Sequence, residues 1–438
     1  MRRQSAFQAF GSLVAGKLRR LGFLLSVLLS TLVLAQVPNP GSAESNHFEK
    51  GLELYRQNLL EEAISEFKLA AKEGISNADL HAWMAETYRR LEEFDDAEES
   101  ARKALSLDPC HAFAHTVLGN AYYPQYKSVS NASFDSAYHH LQKAVECDPT
   151  DGNPWTALWC EALRRGDEPL EKRGLKVMAE SGFLTPTLLS VARWMIQNLP
   201  DNCILLTNGD MDTYPPLAVQ HVENMRHDVA IVNLPMLNLL WYTELVCERY
   251  GLPLPYPEDE FRELAVSRTE DGEWIYVSKK VVRGWLDLFE AGRFPRPIAI
   301  AVTVADLDFW PDTREQLTNA GAFWLVHPER VVSTADMTLL RKSLETAKTM
   351  DFSGPLVSEK DRSPIRMNST PQIITNVTAA ALVYAQALLR SGKADEAYEV
   401  ASWAESFEKK TVLGPQLIDQ IQQLKDKAEW GREQEEGE

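Results

Sequence analysis

The sequence predicts an α + α/β protein, in which an α-solenoid of helical hairpins precedes a mostly parallel α/β sheet domain and a C-terminal helical hairpin. Three observations predict this fold class. Small residues recur every 34 residues in the N-terminal third, short β-branched runs alternate with helical segments in the middle, and the hairpin pattern returns near the end. The length of 438 residues suits two or three domains, and 45% hydrophobic residues suffice to build their cores.

Residues 1–35 have the composition of an export signal. They contain five basic residues and no acidic residue, and they end in an apolar run over 21–35. This run is short of the roughly 20 residues that a membrane-spanning helix needs. We therefore expect a signal peptide cleaved after Ala35 and an exported protein of the periplasm or cell surface. An uncleaved anchor is the alternative. No later segment is predicted to reach membrane length.

The net charge of the chain limits the classes of partner that it is expected to bind. Without residues 1–35, 40 basic residues face 63 acidic ones, so the net charge of −18 becomes −23. Such an acidic chain repels nucleic acid and anionic membranes, and both are excluded as expected partners.

The five cysteines form no Cys-x-x-Cys pair, which favours buried small side chains over a zinc-binding motif. One disulfide is possible in an oxidising compartment, but the sequence does not choose its pair.

The N-terminal repeat has a fixed register. Gly51, Ala85 and Gly119 are each 34 residues apart, and a six-residue insertion within 124–131 lengthens the third repeat. A small residue, an aromatic three positions later, two alanines and a closing proline recur in this register. Over residues 46–166 the pattern resembles the tetratricopeptide repeat family, which implies pairs of helices A and B stacked into a solenoid. The same register returns over 370–428, with a predicted turn at Ser391–Lys393.

The resemblance implies a groove lined by the A helices. A protein partner, either a peptide or a helix, would bind in this groove; the alternative is that the protein's own second domain fills it. The candidate partner-binding residues are Tyr55, Arg89, Phe113, Asn120 and Tyr123. His111 and His115 are spaced i, i+4 and could share a metal ion, although no carboxylate motif stands beside them.

Residues 170–345 read as a Rossmann-like, mostly parallel α/β domain. Apolar, β-branched strands are predicted to alternate with helices, and the helix after the first strand is predicted to begin at Leu217. The predicted strands are 203–207, 229–233, 274–277, 298–302 and 323–326.

Polar residues follow several of these strands, and ligands of open α/β sheets bind at the carboxyl ends of the strands. Asp210 and Asp212, in a glycine-containing loop, could hold a divalent cation or act as acid and base. The alternative is that Asp210 and Thr213 cap the next helix. Thr303 and Asp306 follow a later strand. The candidate ligand-binding residues are Asn208, Gly209, Asp210, Asp212, Thr213, Tyr214, Asn233, Asn238, Trp241 and Tyr242.

These motifs support a second resemblance. Residues 208–215, 226–234 and 237–242, with 296–303 later in the chain, resemble the soluble C-terminal region of a bacterial membrane family that is similar to protein O-mannosyltransferases and is of unknown function. Met211 replaces the asparagine usual in that family. This chain lacks the multi-span membrane part, so the resemblance implies an extracytoplasmic accessory domain with a possible glycan ligand, and not a transferase.

Two functions remain open at the level of sequence. The favoured one is an exported scaffold that binds a protein through its repeats and a ligand through its α/β domain. The alternative is an enzyme acting on a carbohydrate or glycoconjugate, with Asp210 and Asp212 as its catalytic or metal-binding residues. Beyond a possible divalent cation, the sequence names no cofactor.

Overall fold

The computed structural model describes residues 47–124, 128–304, 307, 313–331, 333–407 and 414–436. The chain divides into two compact units, the first ending at Asp148 and the second beginning at Pro149. The boundary falls inside the stretch 46–166 that the repeat pattern covers. The predicted signal peptide and Asp306 lie outside the described residues.

The described part of the first unit consists of helical hairpins. Consecutive helices pack in pairs, as the 34-residue register predicts. The helices are α1 (His47–Arg56), α2 (Leu60–Lys72), α3 (Ala78–Leu91), α4 (Phe94–Leu107), α5 (Ala112–Ala121) and α6 (Phe134–Cys147).

Small residues at the repeat positions allow each pair of helices to approach closely. A Cβ atom on Gly51 would stand 2.5 Å from the ring of Phe67, and one on Gly119 would stand 2.6 Å from Cγ of Leu141. Both distances are far inside van der Waals contact, so only glycine fits opposite these large side chains. The middle hairpin has Ala85 at the equivalent position, and Ala85 is fully buried.

A disulfide joins Cys110, before α5, to Cys147, the last residue of α6. The expectation that the cysteines serve as small buried side chains is therefore wrong for this pair. The three free cysteines, Cys160, Cys203 and Cys247, all lie in the second unit, where burial raises the pKa of each thiol.

The second unit opens with helices and then builds a sheet. Its helices before and within the sheet region are α7 (Asn153–Arg165), α8 (Glu168–Glu180), α9 (Pro186–Gln197), α10 (Asp210–Val222), α11 (Leu240–Tyr250), α12 (Glu258–Arg262) and α13 (Val277–Glu290). The strands are β1 (Ile204–Thr207), β2 (Ala230–Asn233), β3 (Ser267–Arg268), β4 (Trp274–Ile275), β5 (Ile298–Ala301), β6 (Leu317–Asn319) and β7 (Phe323–Val326).

The main sheet is mixed, and the prediction of a mostly parallel sheet is wrong. Its order is β2-β1-β5-β7-β6, in which β1 pairs in parallel with β2 and β5, while β7 pairs antiparallel with β5 and β6. The tight turn at 320–322 between β6 and β7 explains the antiparallel half, because a connection this short joins only antiparallel strands. The predicted strand at 274–277 is instead β4, which pairs with β3 in a separate two-stranded sheet.

Helix α10 begins seven residues before the predicted start at Leu217. Pro215 and Pro216 lie inside the helix. They fall in the second turn, and the helix start is fixed upstream of them by side-chain hydrogen bonds at Asp212. Asp210 and Asp212 therefore belong to a helix and not to a loop.

Four further helices complete the described part of the second unit: α14 (Met337–Thr349), α15 (Pro364–Arg390), α16 (Ala394–Glu405) and α17 (Pro415–Glu436). Among the described residues, α15 is long and apolar enough to cross a membrane by length and composition alone, which the sequence analysis did not anticipate. Half of its apolar window is buried, and α15 packs against α9, α10, α14, α16 and α17.

Candidate ligand site at the carboxyl ends of β1, β2 and β5

The strand order reverses direction beside β1. The chain passes from β1 through α10 to β2 on one side, and later returns to β5 on the other side of β1. The carboxyl ends of β1 and β5 therefore lie at the same edge of the sheet. From β1 the chain continues toward β2, and from β5 it continues in the opposite direction along the strand order, toward β6 and β7. This reversal is the position at which open α/β sheets bind ligands.

Asp212 lies at this position, and its carboxylate is occupied by hydrogen bonds. It is buried, and it accepts hydrogen bonds from the backbone N–H groups of Asn208 and Gly209, both at 2.7 Å. The hydroxyl of Thr303, which follows β5, also donates to it. Burial raises the pKa of Asp212, and the hydrogen bonds from Asn208, Thr303 and Gly209 oppose that rise.

This arrangement is a capping interaction at the start of α10. Asp212 is the third residue of the helix and bonds back to the residues that precede it. The alternative in which Asp210 and Thr213 cap the helix is therefore wrong in its residues, because the capping carboxylate is that of Asp212 and the hydroxyl of Thr213 bonds to that of Thr207. The backbone N–H groups that would otherwise attract a phosphate are bonded to the protein's own carboxylate.

Three of the predicted ligand-binding residues, Thr213, Asn233 and Tyr242, form hydrogen bonds among themselves and with Thr207. Thr213 Oγ1 lies 2.6 Å from Thr207 Oγ1 and accepts from Asn233 Nδ2 at 3.1 Å. The backbone N–H of Asn233 donates to Tyr242 Oη at 3.1 Å, and burial raises the pKa of Tyr242. The structure therefore brings these residues together, but their hydrogen bonds tie the ends of β1 and β2 to α10 and α11.

Asp210 points to a different partner. Its side chain is 44% exposed, and Arg366 Nη1 lies 3.3 Å from its Oδ2. Arg366 also donates to Asp361, with Nη2 at 2.9 Å from Oδ1, and its guanidinium lies over the ring of Phe183 at 5.2 Å. Burial alone would lower the pKa of Arg366, but the charges of Asp361 and Asp210 raise it.

The sequence analysis missed Arg366 and Asp361. Arg366 lies 156 residues from Asp210 in a helix that was assigned only to a hairpin, so no local pattern linked them. A second ion pair continues the network, with Arg362 Nη1 at 2.5 Å from Asp151 Oδ2. These contacts hold Arg366 at the start of α15. Because Asp210 pairs with Arg366 while Asp212 bonds to the backbone before α10, the two carboxylates do not converge on one point.

The remaining predicted ligand residues have structural contacts of their own. Tyr214 Oη donates to the carbonyl oxygen of Thr156 in α7 at 2.8 Å. Asn238 accepts from the backbone N–H of Ser278 at 3.1 Å, next to the first residue of α13. Trp241 lies edge-on to Tyr242, with the ring centroids 6.0 Å apart. Within the described residues, no group of three or more His, Cys, Asp or Glu side chains is arranged to hold a metal ion.

In the first unit, three of the five candidate groove residues lie in the core. Tyr55, Phe113 and Tyr123 are 1%, 7% and 2% exposed. Trp83 lies edge-on to both Tyr55 and Phe113, with centroid distances of 5.1 and 4.7 Å, and Tyr123 packs edge-on against Phe134. The prediction that these three aromatics face an open groove is wrong, because Tyr55 and Phe113 pack against Trp83 between successive A helices, and Tyr123 packs against the first residue of α6.

Arg89 and Asn120 are half-exposed, as groove residues should be. Arg89 forms a two-point ion pair with Glu86, at 2.7 Å for both contacts, and Tyr55 Oη donates to the same carboxylate at 3.1 Å. Burial alone would raise the pKa of Glu86, but the charge and hydrogen bonds of Arg89 lower it. Sequence analysis missed Glu86, although its equivalent in the third repeat is Asn120 itself.

His111 and His115 do not share a site. His111 Nδ1 accepts from the backbone N–H of Ala114 at 3.2 Å, and its Nε2 lies 3.1 Å from Asp79. His115 faces His140 of α6 instead, and their Nδ1 atoms are 3.0 Å apart. The i, i+4 spacing of His111 and His115 therefore did not identify a shared site, because His111 serves as the N-cap of α5.

One family model matches part of the second unit. It is described as TMEM260-associated domain 2 and covers residues 189–264, from α9 to just past α12. The match spans well under half of the chain, so it does not show that the whole chain belongs to that family. It includes the motifs at 208–215 and 226–242, but its description does not mention mannosyl transfer. Among curated proteins, none matches this sequence.

Three solved structures show a distant likeness. The crystal structure of MamA has a TM-score of 0.25 at 16% identity, covering 46% of this chain and 94% of that chain. The structure of Naa15/Naa10 bound to HypK-THB has a TM-score of 0.26 at 11% identity, covering 87% and 66%. The TPR domain of P58(IPK) has a TM-score of 0.18 at 14% identity, covering 89% and 98%. TM-scores this low carry no argument about the function of this chain.

Proposed function

We propose that the chain is an exported binding scaffold, in which the helical hairpins hold a protein partner and the α/β domain supplies an accessory ligand-recognition surface. The observation that carries the proposal is the build of the first unit, whose described residues form successive helical hairpins. Stacked hairpins bury their apolar faces against one another and leave an extended surface along their A helices, which suits a protein partner.

The proposed partner surface comprises Arg89, Asn120 and Trp83. All three side chains are half-exposed, and they belong to the A helices α3 and α5. Tryptophan and arginine are both enriched in protein-binding surfaces, because their side chains contribute large contact areas. Asn120 offers a position at which a larger side chain would obstruct the surface without removing a core contact.

Export is part of the proposal. The disulfide between Cys110 and Cys147 supports it, because structural disulfides persist in oxidising compartments. The acidic charge of the chain beyond residue 35 is compatible with a protein that stays free of anionic surfaces.

Cross-linking of the full-length protein in envelope extract tests the scaffold function. Asn120→Arg should abolish the cross-links to a specific partner, while the fold stays intact by circular dichroism. Ser106→Arg is the matched control, since it adds the same charge at an exposed position of α4. Equal loss of cross-links in both variants, or in neither, would contradict a partner surface at Asn120.

The accessory ligand is proposed to contact Asn208, which is exposed, and Asp210, which is half-exposed. A carboxylate and an amide suit the hydroxyl groups of a glycan. Thermal-shift measurements with neutral and charged oligosaccharides test this, because a ligand of the native state raises the midpoint with its concentration. Asp210→Ala should remove the shift.

A carbohydrate-acting enzyme is the weaker candidate. An acid–base pair needs both carboxyl groups within reach of one substrate. Asp212 is buried and bonds to the backbone at Asn208 and Gly209, while Asp210 pairs with Arg366. The two carboxylates are therefore committed to different parts of the protein.

A further inference from the structure

We propose that His115 and His140 of the first unit form a binding site for a divalent transition-metal ion, with the two Nδ1 atoms as ligands. In the structure these atoms face each other at 3.0 Å across the contact between α5 and α6. Two imidazole nitrogens bound to one ion, each at about 2.0–2.1 Å, stand roughly 3 Å apart, so the separation of the two atoms suits a shared ion once the rings turn both lone pairs toward it.

The hydrogen bonds of His115 leave its Nδ1 available. Its Nε2 lies 3.3 Å from the carbonyl oxygen of Pro109, which accepts only, so Nε2 carries the proton and Nδ1 carries the lone pair. Metal-binding histidines commonly donate their second N–H to a carbonyl in this way, which fixes both the tautomer and the ring orientation. When no metal is bound, His140 donates its Nδ1 proton to His115. When the ion enters, His140 changes tautomer: its Nδ1 gives up that proton to solvent and its Nε2 takes one from solvent, so the ring stays neutral and Nδ1 presents a lone pair to the ion.

The ring of His140 is also held in place. It stacks on Tyr122, with the centroids 5.6 Å apart and the planes 11° from parallel. The Tyr122 hydroxyl donates to Glu98 at 2.6 Å and accepts from Arg102 at 2.9 Å. Burial lowers the pKa of both histidines.

The disulfide ties together the two segments that carry the ligands. Cys110 follows Pro109, whose carbonyl holds His115, and Cys147 ends the helix that carries His140. Because both segments are covalently joined, the two rings cannot separate by local opening of the hairpin. The other coordination positions fall to water, since two ligands from the protein leave most of the coordination sphere of the ion open.

The test uses the untagged full-length protein with its disulfide intact, after removal of metal with a chelator. Cu(II), Ni(II) and Zn(II) chlorides serve as probes in calorimetric titrations, and Cu(II) electron paramagnetic resonance counts the nitrogen ligands. The wild type should bind one equivalent of Cu(II) with two equatorial nitrogens. His140→Gln should weaken binding at least tenfold and remove one nitrogen signal.

His111→Asn is the matched control. It removes a nearby histidine but keeps a residue that caps helices well, so α5 should still form. Its affinity should stay within twofold of the wild type. The proposal is overturned if His140→Gln binds Cu(II) as the wild type does, or if His111→Asn loses binding to the same extent. Thermal melts of all three proteins without metal separate loss of the site from loss of the fold.

Discussion

At the scale of the residue, the site at the end of β1 is governed by how buried polar groups find partners. Asp212 is removed from water, which disfavours its charged form, and the backbone N–H groups of Asn208 and Gly209 compensate. A buried carboxylate persists only with such partners. The same sequence motif therefore produces a helix start, and it leaves Asp210 as the carboxylate open to solvent.

Replacing Asp212 should cost more stability than replacing Asp210. In Asp212→Asn one acceptor oxygen becomes an N–H₂ group that faces donors, so we expect a loss of about 1–3 kcal/mol in the free energy of unfolding. Asp210→Asn should lose less, because Asp210 is half-exposed and contacts Arg366 at 3.3 Å. Urea denaturation of both variants measures the difference. A greater loss in Asp210→Asn would contradict the capping role of Asp212.

Asp228 should make the stability depend on pH in the acid range. Arg226 donates to its carboxylate, as does the backbone N–H of Asn202, and these bonds lower the pKa of Asp228 to about 2. A lowered pKa means that the stabilisation is present above the ordinary value near 4 and is lost as the pH falls toward 2. Urea midpoints between pH 2 and 5 should fall less steeply in Asp228→Asn than in the wild type.

Arg226 and Asp228 also show that a sequence motif can be recognised without its structural role being known. Arg226 donates to four carbonyl oxygens at the end of α9, those of Ile196, Gln197, Leu199 and Pro200. Arg226 and Asp228 belong to a motif that supported the resemblance to a membrane family, and their contacts here are structural. Sequence reasoning found the motif but could not assign its role, because α9 precedes Arg226 by about thirty residues.

At the scale of the element, the helical hairpins could be predicted and the sheet could be predicted only in part. The hairpin register depends on contacts between helices that follow each other directly, such as Gly119 with Leu141. The strands could be found as β-branched runs, but their directions depend on distant pairings such as β5 with β7. The start of α10 was misplaced at Leu217, although Asp212, in the first turn, bonds back to the residues that precede the helix.

The pairing of Gly119 with Leu141 can be tested by a double-mutant cycle. Gly119→Ala should cost about 1–3 kcal/mol, because its Cβ would stand 2.6 Å from Leu141 Cγ. Leu141→Ala should cost about 2–5 kcal/mol through the cavity that it leaves. The double variant has alanine at position 119, as the middle hairpin has Ala85, and it lacks the large side chain that this alanine would meet. Its cost should therefore be less than the sum of the costs of the two single variants. Strict additivity would show that the two side chains do not meet.

At the scale of the whole molecule, the cysteines distinguish the two units. Cys110 and Cys147 are joined within the first unit, and the three free cysteines are all in the second. Closing a loop of 37 residues restricts the unfolded chain and should stabilise the first unit by about 4 kcal/mol. A reductant therefore acts on one unit and leaves the hydrogen bonds and packing of the other unchanged.

Calorimetry should accordingly resolve two transitions, of which a reductant lowers only one. We expect the combined variant Cys110→Ser and Cys147→Ser to reproduce the lowered midpoint without reductant, because it removes the same loop constraint. Cys160→Ala is the control, since it removes a thiol of the second unit but keeps the disulfide. The transition of its first unit should remain sensitive to reductant. A single transition that shifts as a whole would mean that the units unfold together, and insensitivity to reductant would mean that the disulfide does not form. Because one unit carries the disulfide and the other carries the α/β site, the two midpoints also report separately on copper binding at His140 and on ligand binding at Asp210.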